Sequence, residues 1–280
     1  MKNNSIKKLM CHLVAGYPTM ELSQQAAAGM VEGGASYLEV QFPFSDPTAD
    51  GQRIQEACGK ALEGGFTLGE GFWMVKELTR RYPQIPLFIM SYASPVFLRG
   101  VAWFLDQAKE AGVTGLIVPD LPFDQDEGYY QAAWDRGLHP VSVVVPTMDP
   151  RRLDRLLSLL QTQGESYVYV ALRTGITGDP TNLSEESISF LQALAGKGLK
   201  LLAGFGVSSS VQVEALSPYV EAVVVGSYLV GIIQQWTVSR NRGSASEGVS
   251  MGKDGSTVSL EGGASLKETV ARAVTGFLGG

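Results

Sequence analysis

A chain of 280 residues, 45% of them hydrophobic, can bury one large core. Its net charge of -6 and pI near 5.1 leave no basic excess for phosphodiester backbones or anionic lipid heads, so nucleic acid is not an expected partner. No apolar run reaches the roughly 20 residues that a membrane helix needs, and the two cysteines, Cys11 and Cys58, have neither metal-ligand spacing nor the density of a disulfide framework. A soluble protein of a reducing, cytoplasmic compartment is the expectation.

In chain order, short apolar runs alternate with longer amphipathic segments. This is the pattern of βα units around a parallel sheet whose strands are buried on both faces. The first run, Leu9 to Ala15, is interrupted by His12 and followed by Gly16-Tyr17-Pro18, so it reads as a strand and turn rather than a signal peptide. Ser36 to Phe42, Leu87 to Tyr92, Gly115 to Pro119, Pro140 to Val145, Tyr167 to Leu172, Lys200 to Gly204 and Ala222 to Gly226 complete a set of eight. Met20 to Glu32 and Leu98 to Ala111 carry apolar residues at helical spacing and are each followed by glycine, a common helix stop. Asp149-Pro150 and Ser208 read as helix starts.

Eight such units over 280 residues predict a single (β/α)8 TIM barrel spanning 1–280. One stretch breaks the pattern. Residues 239–265 are dense in Gly and Ser and read as a flexible surface insertion, after which Leu266 to Phe277 forms a last helix returning to the barrel wall.

Barrels of this kind place their active sites at the C-terminal strand ends, so unusual residues there are the functional candidates. In the second strand, alternation puts Glu39 and Gln41 opposite to Leu38 and Val40, which turns Glu39 into the barrel. A carboxylate withdrawn from water gains proton affinity, which suits acid/base work. The structural alternative is a buried glutamate paired with a cation. The neighbouring strand runs offer no candidate cation, which favours function.

Asp46 and Asp50 follow in a loop shaped by Pro43, Pro47 and Gly51. For Asp46 a turn-forming role weighs at least as much as a functional one. Asp50 precedes a helix beginning near Gln52, and capping that helix stands level with a functional role.

Two glycine turns, Gly204-Phe205-Gly206-Val207-Ser208 after the seventh strand and Gly226-Ser227 after the eighth, each open a helix, the second a short one. Free backbone N–H groups there form an anion site, and barrels commonly bind phosphate after strands seven and eight. Arg173 to Asp179 is either a loop that closes over a ligand or an ordinary connection. His12 and His139 are far apart in the unit order, which argues against a metal pair, and no metal site is expected. Tyr169 has a parity that suits the barrel interior, though core packing is the commoner role of an aromatic there.

Leu38-Glu39-Val40-Gln41-Phe42-Pro43-Phe44-Ser45-Asp46-Pro47-Thr48-Ala49-Asp50-Gly51 resembles the strand-two signature of tryptophan synthase alpha chains. Gly115 to Pro122, Arg173 to Gly178, Gly204 to Ser208 and Val225-Gly226-Ser227 resemble further family motifs in the family's order. The resemblance extends from about Leu9 to Ile233.

It implies cleavage of indole-3-glycerol phosphate to indole and glyceraldehyde 3-phosphate. Glu39 matches the general acid/base, and Asp50 the carboxylate that stabilises charge at the indole nitrogen. Tyr169 matches an active-site tyrosine, Thr177 the loop residue that bonds the aspartate, and Gly178, Phe205, Gly206, Gly226 and Ser227 the phosphate contacts. Tyr92 falls beside the indole pocket. Pro43 and Asp46 fall in the loop facing a beta subunit.

The resemblance also implies no cofactor in this chain, pyridoxal phosphate only in the partner beta subunit, and a two-alpha, two-beta assembly. Gln41 departs from the family's usual glycine, where it would crowd the indole or hydrogen-bond Glu39, and Ala93 stands where the family has asparagine. Three rival readings remain: a weakly active scaffold that activates a beta chain, a stand-alone indole-releasing lyase, and a different phosphate-binding barrel enzyme.

Overall fold

The computed structural model describes residues 7–172, 185–204, 206–241 and 264–279. Eight parallel strands, β1 Leu9–Val14, β2 Tyr37–Gln41, β3 Leu87–Met90, β4 Gly115–Ile117, β5 His139–Val144, β6 Tyr167–Ala171, β7 Lys200–Gly204 and β8 Ala222–Val225, pair in sequence order, and β8 closes onto β1. Each falls on one of the apolar runs, because a strand covered on both faces carries almost no solvent-facing residue. The helices α1 Met20–Glu32, α2 Gln52–Glu63, α3 Leu68–Arg81, α4 Ala93–Leu98, α5 Val101–Glu110, α6 Tyr129–Trp134, α7 Pro150–Gln161, α8 Glu185–Ala195, α9 Ser210–Leu216, α10 Ser227–Asn241 and α11 Leu266–Leu278 connect or follow them. The architecture is a (β/α)8 TIM barrel. Among the described residues no helix is long and apolar enough to cross a membrane.

Strand alternation divides the core in two. Outward residues such as Leu13, Leu38, Val40 and Ile89 pack under the helices, while Met10, Phe88, Ile117, Val141, Leu202 and Val224 fill the barrel. At the N-terminal end a polar layer closes the interior. The Tyr37 hydroxyl and Lys8 Nζ both reach Glu221 Oε1 at 2.6 Å, and Lys200 Nζ lies 2.7 Å from Glu165 Oε2 and 3.3 Å from the Tyr167 hydroxyl. That floor leaves the C-terminal mouth as the open end.

Several boundaries differ from the sequence reading. The helix expected over Leu98 to Ala111 is two helices, because Gly100 sits at φ 89, a left-handed conformation that no continuing α-helix contains; Leu98 ends α4. The cap of α9 is Ser209 rather than Ser208, since the Ser209 hydroxyl accepts from Gln212 N–H while the Gln212 side chain returns to the Ser209 N–H. Asp149 caps α7 by accepting from Arg152 N–H, with Pro150 in the first turn. The helix after β8 is long, 15 residues, and takes in Ser239 to Asn241. Most of the Gly/Ser-rich stretch assigned to 239–265 lies outside the described residues. Its flanks meet where Trp236 Nε1 and Arg240 Nη2 donate to the Ala264 carbonyl at 3.0 and 2.9 Å, just before Ser265 caps α11.

Helix α11 docks on α1 through two glycines one turn apart. A Cβ at Gly29 would lie 2.3 Å from the Lys267 carbonyl oxygen, and one at Gly33 would lie 2.6 Å from that of Ala271. Alanine favours a helix over glycine by about 1 kcal/mol, but overpacking against backbone that cannot rotate away costs about 1–3 kcal/mol. Gly29→Ala is therefore expected to destabilise the protein by up to about 2 kcal/mol, read as a lowered urea midpoint. A raised midpoint would show that the two helices are free to part.

Candidate active site

The register of β1 and β2 sets His12 directly beside Glu39, both turned inward. His12 Nδ1 lies 3.2 Å from Glu39 Oε2, and both side chains are about 5% exposed. This corrects the expectation that the neighbouring strands offer Glu39 no cation. The missing partner is the histidine, not a lysine or arginine. Burial alone lowers the affinity of the His12 imidazole for a proton, but the charge and hydrogen bond of Glu39 and the charge of Asp50 outweigh it, leaving its pKa raised. The other ring nitrogen, Nε2, is buried without a hydrogen-bond partner.

Asp50 reaches the same space from the loop after β2. The cap of α2 is Gly51, with no side-chain capping bond, so Asp50 does not cap the helix. Its Oδ2 accepts from Gln41 Nε2 and from the Tyr92 hydroxyl, each at 2.7 Å, and the Ala49 N–H donates to the Tyr92 oxygen at 3.1 Å. Burial pushes the Asp50 carboxyl above the ordinary aspartate range. The Tyr92 bond, the His12 charge and the Gln41 bond hold it down, while the Glu39 charge pushes it further up.

Gln41 and Tyr92 are both fully buried and stand behind Asp50, off the cavity wall. Gln41 therefore neither crowds the cavity nor bonds Glu39, and Tyr92 orients Asp50 rather than lining the pocket. Gln41 Nε2 also lies 3.5 Å from Cys58 Sγ, and Gln41 Oε1 is left without a partner.

The cavity has one polar side, His12, Glu39 and Asp50, and one apolar side that includes Met90, Ile117, Pro119, Val143 and Val145. Tyr169 completes the wall from β6. Its hydroxyl has room because Gly204 on the adjacent strand has no Cβ, which would sit 2.9 Å from it. Gly206, at φ 81, and Gly226 with Ser227 line the remaining edge, and Ser227 begins α10, whose first-turn N–H groups have no acceptor within the helix. Asp120 Oδ1 accepts the Ala93 N–H at 2.8 Å, which ties the loops after β3 and β4 together. The apolar wall thus has two carboxylates at one edge and the glycine turns at another.

A family model described as tryptophan synthase alpha chain matches residues 1–255. The tryptophan synthase alpha chain of Helicobacter hepaticus is 38% identical over 234 residues, covering 81% of this chain and 86% of that protein. That of Methanosarcina barkeri is 35% identical over 228 residues, covering 81% and 84%. The chain belongs to the tryptophan synthase alpha chain family.

The solved structures agree. A tryptophan synthase complex from Pyrococcus furiosus has a TM-score of 0.74 at 29% identity, covering 97% of this chain and 98% of that one. Mycobacterium tuberculosis tryptophan synthase has a TM-score of 0.75 at 27% identity, covering 97% and 94%. Members of the tryptophan synthase alpha chain family serve as lyases in tryptophan synthesis.

Of the residues that the sequence matched to family roles, the structure gathers Glu39, Asp50, Tyr169, Gly206, Gly226 and Ser227 around one cavity. Thr177, Gly178 and Phe205 lie outside the described residues. Asp46 is exposed and Pro43 is buried within the chain, so of these two only Asp46 presents its side chain to solvent. His12 is the residue that sequence reasoning passed over. Its signal was its inward parity, two residues after Met10 on the strand beside Glu39. Among the described residues no group of three or more His, Cys, Asp or Glu side chains stands ready to hold a metal ion.

Because Asp50 binds its proton more tightly than an exposed aspartate, an activity needing it ionised falls on the acid side at a pH above the ordinary aspartate range. Gln41→Leu removes a hydrogen bond that favours the ionised form, so the acid limb of the kcat/KM profile should move to higher pH. A limb that stays in place or moves down would remove Gln41 from the control of Asp50.

Proposed function

We propose that this chain cleaves indole-3-glycerol phosphate to indole and glyceraldehyde 3-phosphate, with Glu39 and Asp50 as its catalytic residues. The observation that carries this reading is the placement of two buried carboxylates at one edge of an apolar cavity that ends in glycine turns. Protonated Glu39 gives its proton to the ring carbon bearing the side chain, forming an indoleninium. The carbinol hydroxyl then loses its proton to the Glu39 carboxylate as its oxygen forms the aldehyde. The carbon–carbon bond breaks and its electron pair returns to the ring, neutralising the nitrogen. One proton is given and one recovered, so Glu39 ends as it began.

Positive charge develops at the indole nitrogen in the middle of this sequence, and ionised Asp50, held by Tyr92 and Gln41, meets it. Tyr169 packs beside the ring, and Gly206, Gly226 and Ser227 offer backbone N–H groups to the phosphate, with Thr177, Gly178 and Phe205 assigned the roles that family resemblance gives them. The chemistry as written draws on no cofactor in this chain. The indole product suits a partner beta chain, carrying pyridoxal phosphate, in a two-alpha, two-beta assembly in the cytoplasm. The loop bearing exposed Asp46 is the surface we assign to that partner.

Glu39→Gln keeps the shape of the side chain but can neither give nor recover a proton. Indole release, followed with and without a beta chain, is expected to fall by about 10²- to 10⁴-fold while affinity for inorganic phosphate is kept. Undiminished release would remove Glu39 from the mechanism.

A further inference from the structure

His12 does more in this geometry than balance the charge of Glu39. Its imidazole has two polar atoms, and the Glu39 carboxylate takes only Nδ1. Nε2 is buried with no protein partner, on a ring that forms part of the cavity wall. An unsatisfied buried ring nitrogen is a cost that a hydrocarbon ring of the same outline would avoid, so the arrangement calls for a partner from the cavity. The position narrows what that partner is. A Cβ placed on Gly226 would lie 3.6 Å from His12 Cβ and Cγ and 3.8 Å from Cδ2, so the imidazole lies against the turn that opens α10. His12 thus stands between Glu39, where the ring carbon is protonated, and the turn assigned to the phosphate.

We infer that His12 is a substrate-binding residue whose Nε2–H donates to a hydroxyl oxygen of the three-carbon chain linking the aromatic ring to the phosphate. This rests on the reading of the cavity given above, and it adds a donor that selects a hydroxylated chain over a bare alkyl phosphate. Glu39 holds the ring from behind through Nδ1, which turns Nε2 away from Glu39. The raised proton affinity of the imidazole, set by Glu39 and Asp50, keeps the donor form available to higher pH. Because the same carboxylate orients His12 and exchanges protons, hydroxyl recognition and acid/base chemistry share one side chain.

The test separates the two ring nitrogens. Affinities for glycerol 3-phosphate and for propyl phosphate, which lacks the hydroxyls, are measured by calorimetry on the whole protein and on two variants. His12→Asn keeps an amide N–H near the Nδ1 position, and so the Glu39 contact, but has nothing at Nε2; His12→Gln places its N–H near Nε2. The wild-type protein should prefer glycerol 3-phosphate, His12→Asn should lose about tenfold of that preference with propyl phosphate affinity unchanged, and His12→Gln should keep most of it.

The chain has only two histidines, so the His12 ring signals are identified in ¹⁵N-labelled protein by their absence from either variant. The Nε2–H signal should shift with glycerol 3-phosphate and not with propyl phosphate. The inference is overturned if the wild type shows no preference, if the preference survives His12→Asn, if both variants weaken both compounds alike, or if the His12 signal responds to neither compound. These readouts need no turnover. An absence of indole release would sink the proposed reaction and leave the His12 result standing or falling by itself.

Discussion

Withdrawing a carboxylate from water costs several kcal/mol unless charge or hydrogen bonds replace its hydration. The mouth of this barrel withdraws two, Glu39 and Asp50, against a largely apolar wall. Each is met by its own set of partners. Glu39 has the imidazole of His12, and Asp50 has the amide of Gln41 and the hydroxyl of Tyr92, both on one oxygen. The partners differ in kind, and so do the tasks open to the two acids. Neutral donors fix the direction of the Asp50 carboxylate, which suits a charge stabiliser. The partner of Glu39 is an imidazole whose affinity for a proton that carboxylate raises.

The barrel makes these contacts geometrically cheap. Parallel strands in register bring His12 and Glu39 side by side on the inner face, with Gln41 one step higher on the same face. Tyr92 follows β3, the next strand round, and reaches across to the loop that carries Asp50. The glycines serve the same end by withholding side chains. Gly204 leaves space for the Tyr169 hydroxyl between β6 and β7. On the outside, Gly29 and Gly33 let α11 close on α1.

How much of this could be read in the sequence depended on whether the cause was local. The eight strands were legible because burial on both faces leaves apolar runs, and the inward turn of Glu39 followed from alternation alone. The pairing of Glu39 with His12 was not, because it depends on the register between two strands, which neither strand records by itself. Asp50 stood level between capping and function for the same reason, since the groups that decide it, Gln41 and Tyr92, come from elsewhere in the chain. Gln41 was legible as an inward residue but not as a partner of Asp50. Gly100 broke a helix that spacing alone had drawn as continuous, because the apolar period runs on across a residue whose backbone leaves the helix. The Gly-rich turns after β7 and β8 were visible as motifs, and the closed barrel brings them to the same cavity edge.

The most direct measurement is a crystal structure of the Glu39→Gln protein with intact indole-3-glycerol phosphate bound. The account predicts the indole ring against Ile117 and Val143, its nitrogen within hydrogen-bonding distance of Asp50, and the phosphate at Gly206, Gly226 and Ser227. A ring nitrogen turned away from Asp50, or a phosphate bound elsewhere, would contradict it.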